Sequence, residues 1–129
     1  MTTPLSQIIV LGGLSGRLDH TLRSLNTLLI APKFFHSSAP PVYILDGENL
    51  AFVIREGNYE IQLDRALLTG KSGVIPFCQE ETRMITRGIN WNADESLTKF
   101  GGIVCTSNEI VEDTITITTN APLILTLEV

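Results

Sequence analysis

The sequence predicts a mainly β protein, an antiparallel sandwich or jelly roll, preceded by a single strand–loop–helix unit. Three observations carry this expectation. About eight short apolar runs follow residue 40 with turn residues between them, the rhythm of stacked antiparallel sheets. Among them TITITT, residues 114–119, alternates Ile with Thr, giving one buried and one wet face. Ahead of residue 33 the pattern changes: IVLGG ends an apolar run, and Leu22, Leu25, Leu28 and Leu29 then recur at helical spacing.

Taken in order, residues 8–11 form an unalternated apolar run ending at Gly12, a pattern that suits a strand buried on both faces, as in parallel sheets. Asp19 is placed to cap the following helix, and Pro32 marks its end. A lone strand–helix unit cannot bury such a strand. Either the rest of the chain covers it, or part of the molecule lies outside this sequence. KFFHSSAPP, residues 33–41, reads as a loop and divides residues 1–38 from a β domain over 39–129. Strands are then expected at 42–45 and 50–54, joined by the hairpin signal DGEN, and after Gly57 at 59–63. Further strands are expected at 73–77, 82–86, 102–106, 114–119 and 123–129.

Composition narrows the possible partners. A chain of 129 residues is the size of one domain and long enough to bury a core without disulfides or metals. It is 43% hydrophobic and only 18% charged, so part of its apolar surface is expected to meet a partner. Net charge is −5 and the nine Lys and Arg are scattered. Nucleic acid is therefore excluded as an expected partner, because a phosphate backbone calls for a clustered basic face. No apolar stretch approaches a membrane span of roughly 20 residues, and MTTPLSQ lacks the basic start of a secretory signal. Cys78 and Cys105 sit in apolar runs and read as buried thiols. There is no CxxC pair, and His20 and His36 lack the spacing of a zinc site. The expected setting is reducing and cytoplasmic.

Three clusters can carry chemistry. In GGLSGRLD, glycines after a strand let the backbone approach a ligand, and amides at the following helix start can hold an anion. Arg17 adds a fork suited to phosphate, and Asp19 could bind a metal or orient a hydroxyl. Neither a P-loop nor a GxGxxG fingerprint is present, and a tight turn with a solvated Arg and an Asp cap also explains the pattern. In RGINWN, Trp91 is the only tryptophan. A lone tryptophan is usually core, but one set between asparagines suits stacking on a flat or cationic ligand. In TSNE, residues 106–109, Ser107 and Asn108 can hydrogen-bond a ligand at a strand end, or simply form a turn.

Together, LGGLSGRLDH, SLNTLL, TRGINWN and FGGIVCTSNE, in this order and with GVIPF and the LDGENLAFVIREGNYEIQL region between them, closely resemble thiamine pyrophosphokinases. The resemblance implies a jelly-roll thiamine-binding sandwich preceded by the last strand and helix of an α/β nucleotide domain. It implies transfer of pyrophosphate from ATP to the thiamine hydroxyl with Mg²⁺, releasing AMP, in a homodimer that holds thiamine where subunits and domains meet. By position, Gly13 and Gly16 match the phosphate-cradling loop. Arg17 matches a holder of polyphosphate charge, and Asp19 a group that holds the thiamine hydroxyl or a Mg²⁺-bound water. Trp91 matches a stacking residue, with Ser107 and Asn108 lining the same cleft. The family's acidic GDxDS-type motif does not occur here, so no metal ligand is assigned, and this chain alone is expected to be inactive. The rival reading is a noncatalytic sandwich that binds a small ligand or a protein.

Overall fold

The computed structural model describes residues 6–34, 40–77 and 81–129. His36, Cys78 and the expected boundary between residues 38 and 39 lie outside these. The elements are β1 (Ile8–Leu11), α1 (Leu18–Ile30), β2 (Val42–Asp46), β3 (Asn49–Ile54), β4 (Gly57–Gln62), β5 (Lys71–Pro76), β6 (Thr82–Arg87), β7 (Ser96–Thr98), β8 (Cys105–Glu109), β9 (Thr114–Thr119) and β10 (Leu123–Glu128). A six-stranded sheet runs in the order β1-β2-β3-β10-β5-β8, and a four-stranded sheet in the order β4-β9-β6-β7. Every pair is antiparallel except β1 with β2, which run parallel.

Three layers follow from the side-chain alternation. Between the sheets lie Ile54, Val74, Met84, Ile115, Ile117, Leu123, Leu125 and Leu127. On the other face of the larger sheet, Leu28 of α1 packs with Ile44, Ala51 and Ile124. β10 is thus the strand buried on both faces: Leu123, Leu125 and Leu127 point one way and Ile124 the other. The sequence suggested two buried faces for β1 as well, covered by the rest of this chain or by a part of the molecule outside it; the described residues do not cover them. Among the described residues β1 is an edge strand paired with β2, and Ile9, Val10 and Leu11 are 50%, 41% and 78% exposed. Among the described residues no helix is long and apolar enough to cross a membrane.

Three local expectations also change. Asp19 does not cap α1: Arg17 occupies the cap position without a side-chain cap bond, and Asp19 sits in the first turn. The strand expected at 102–106 lies instead at Cys105–Glu109, because Gly101 adopts φ +87° and the Gly102 amide donates to Lys99 O (3.0 Å), closing a turn over the two glycines. The three-residue strand β7 was not expected. Cys105 is only half-buried.

Candidate functional site

The glycine-rich loop leaves β1 by continuing its ladder, with the Gly12 amide donating to Leu45 O at 2.8 Å. Gly12, Gly13 and Gly16 all adopt positive φ, a conformation that residues with a Cβ rarely take. Asp46, at the end of β2, pins the loop. Its Oδ2 accepts from the Leu14 amide (2.8 Å) and the Ser15 hydroxyl (3.3 Å), while its Oδ1 accepts from the Gly47 amide (2.7 Å). These donors, the Leu14 amide first, hold the Asp46 carboxyl below its ordinary 3.8 despite the opposing effect of burial. A depressed carboxylate contributes fully above its unfolded value and loses that contribution as pH falls through the lowered one. The Leu14 and Gly47 amide proton shifts should therefore titrate together with a midpoint below 3.8, and Asp46→Asn should abolish the transition. A midpoint at or above 3.8 would contradict the pinning.

At the start of α1, Arg17 and Asp19 grip each other. Nε donates to Oδ1 at 3.0 Å and Nη2 to Oδ2 at 2.6 Å, with both side chains well exposed. An ion pair this exposed contributes at most about 1 kcal/mol, so a better ligand for either partner can displace it. Among the described residues no group of three or more His, Cys, Asp or Glu is arranged to hold a metal. Asp19, in the first turn of α1, is the carboxylate of this cluster, and displacement of the Arg17 pair would free it for a hydroxyl or a Mg²⁺-bound water.

The second group is built around β8. Trp91 lies 73% exposed, which removes the core-packing reading. Its loop is nevertheless held firmly. Ile89 bridges to Ile110, the Asn90 amide donates to Glu109 O (2.8 Å), and the Val111 amide donates to Gly88 O (3.0 Å). At the loop's root, the Ala93 amide donates to Thr86 Oγ1 (2.8 Å) and the Arg87 guanidinium to Ala93 O (2.9 Å). Asn108 is fully buried. Its Oδ1 accepts from the Trp91 amide (2.9 Å), and its Nδ2 donates to Trp91 O (3.0 Å) and Cys105 Sγ (3.2 Å). This corrects the expectation that Asn108 faces a ligand. Ser107 is exposed at φ +53° where the β5–β8 register slips. It lines a separate cavity of about 370 Å³ with Asn49, Lys71, Thr106, Thr126 and Glu128. TSNE is therefore strand, not turn, and Trp91 is not among the described residues that line Ser107's cavity.

The structure brings Gly13, Gly16, Arg17 and Asp19 together, and separately Trp91 and Asn108. The first group follows β1 and the second adjoins β8, the two edges of one sheet. Four strands, β2, β3, β10 and β5, stand between those two edges. Sequence reasoning missed Asp46, whose link to the loop spans 32 positions; the acidic end of the DGEN hairpin was the available signal.

Residues 58–124, from β4 into β10, match the family described as "Thiamin pyrophosphokinase, vitamin B1 binding domain". The chain is 32% identical over 121 residues to thiamin pyrophosphokinase 1 of Caenorhabditis elegans, covering 94% of this chain and 48% of that protein. It is 31% identical over 120 residues to thiamine pyrophosphokinase 1 of Oryza sativa subsp. japonica, covering 93% and 44%. Among solved structures, thiamin pyrophosphokinase from Candida albicans superposes with a TM-score of 0.87 at 21% identity, over 95% of this chain and 44% of that one, a likeness of fold. The yeast enzyme superposes at 0.80 with 28% identity, over 93% and 39%. The chain thus spans about half the length of the curated relatives it matches. Since the family pattern covers nearly all of the four-stranded sheet, β5 and β8 of the larger one, and the loop that carries Trp91, this chain belongs to the thiamin pyrophosphokinase family and carries its vitamin B1 binding domain.

Proposed function

We propose that the chain is the thiamine-binding part of an enzyme that transfers pyrophosphate from ATP to thiamine, giving thiamine diphosphate and AMP. In that reading residues 39–129 are the thiamine-binding domain, and residues 1–38 are the last strand and helix of a nucleotide domain. The observation that carries it is Trp91, an exposed indole on a clamped loop inside the matched family domain. A cationic thiazolium or a flat aminopyrimidine suits that face.

In the transfer, the thiamine hydroxyl oxygen bonds to the β-phosphorus of ATP and the bond from that phosphorus to AMP breaks. Gly13 and Gly16 let the backbone approach the polyphosphate, and the α1 start offers it free amides. Polyphosphate then competes for the Arg17 fork, and the Asp19 carboxylate released from that pair orients the thiamine hydroxyl. Such chemistry depends on positioning and charge. Mg²⁺, when bound, neutralises polyphosphate charge, and its ligands are expected outside the residues described. The cytoplasm is the proposed location.

The glycine loop follows β1 and Trp91 adjoins β8, opposite edges of the larger sheet, and this separation supports a homodimer that brings a loop and an indole together at one thiamine. A two-fold pair would set the loop of one copy against Trp91 of the other. Light scattering should therefore show a dimer at micromolar concentration; a monomer at every concentration tested would count against the shared site. The function itself is tested by thiamine titration of the single tryptophan. Saturable quenching of Trp91 fluorescence is expected, and an unchanged spectrum at millimolar thiamine would overturn the reading.

A further inference from the structure

We infer that Asn108 is a positioning residue of the thiamine site, acting through the main chain of Trp91. The inference rests on the proposed role of Trp91 and adds a residue that works without touching the ligand. A carboxamide has two donor hydrogens and one acceptor oxygen, and at zero exposure each needs a protein partner. Asn108 spends its oxygen on the Trp91 amide and its nitrogen on Trp91 O and Cys105 Sγ. Water and ligand therefore have no access to this side chain.

The arrangement has a specific consequence. Residues 89 and 90 run alongside β8 as a short antiparallel ladder, through the Ile89–Ile110 bridge and the Asn90 amide on Glu109 O. Main-chain pairing would reach position 91 next. Instead the Asn108 side chain supplies both the donor and the acceptor that a neighbouring strand would offer. The Asn108 carbonyl is meanwhile taken by the Ser72 hydroxyl at 2.8 Å, which fixes the strand from its other side. Trp91 is thus held at both its N–H and its C=O while its ring projects into solvent. Ordering an exposed indole before binding removes part of the entropy cost of stacking.

The test uses the chain's only tryptophan. First, native-state hydrogen exchange on the unmodified chain should show a protected Trp91 amide; exchange at the rate of an unstructured amide would overturn the inference without any variant. Second, folded Asn108→Ala, verified by circular dichroism, should show lower Trp91 fluorescence anisotropy without ligand and about tenfold weaker thiamine binding. Unchanged anisotropy with unchanged affinity would overturn the inference. Weaker binding with unchanged anisotropy would also overturn it, because that result marks direct contact with the ligand. If Asn108→Ala does not fold, the exchange measurement alone decides. Failure of thiamine to bind the unmodified chain would strike the functional reading instead, leaving exchange and anisotropy to judge the clamp.

Discussion

Gly88→Ala should destabilise the fold by about 3 kcal/mol and lower the melting temperature by about 10 °C. Gly88 adopts φ +93°, and a Cβ built there would stand 2.4 Å from Thr114 O, with Ile115 Cα at 3.2 Å. The obstruction is backbone at the start of β9, which pairs with both β4 and β6, so no rotamer change relieves it. Gly88 O also accepts from the Val111 and Glu112 amides at 3.0 and 3.2 Å, so the residue ties the Trp91 loop to the turn between β8 and β9. Gly101→Ala is the control. Its φ is +87°, but nothing lies within 4 Å of the added methyl, leaving only the conformational cost of about 1 kcal/mol. Thermal unfolding of both variants checks the argument. Equal losses would mean that the close approach at Gly88 carries no weight.

What could be seen in the sequence depended on whether its cause was local. The strand–loop–helix start was legible because a glycine pair ends an apolar run and leucines then recur along one helix face. TITITT was legible because a sheet with one buried face imposes a period of two. The neighbours of each element were not legible. β1 and β10 are similar apolar runs, yet β1 lies at an edge and β10 between β3 and β5, a difference set by topology. Asp19 looked like a cap, but Arg17, two positions earlier, takes both of its oxygens. The family resemblance pointed to the cluster around Asn108, whereas only the fold shows that its carboxamide faces inward to Trp91, 17 positions away.

Trp91→Ala should weaken thiamine binding by about 1–2 kcal/mol, roughly five- to thirty-fold, while leaving fold stability within about 0.5 kcal/mol. The two expectations separate because the indole is 73% exposed while its main chain is held by Asn108, and alanine keeps that main chain. A buried tryptophan would behave oppositely: its truncation would cost about 3–5 kcal/mol of stability. Trp91→Phe should lose less affinity than Trp91→Ala, because a benzene face still attracts a cation but with a smaller surface. Since the alanine variant has no tryptophan left, binding must be followed by calorimetry or by the ligand's own resonances, with the unmodified chain measured the same way. A large fall in melting temperature with undiminished affinity in the folded protein would remove Trp91 from the site. The Asn108 clamp would then be a structural bond, and the exposed ring would have some other partner.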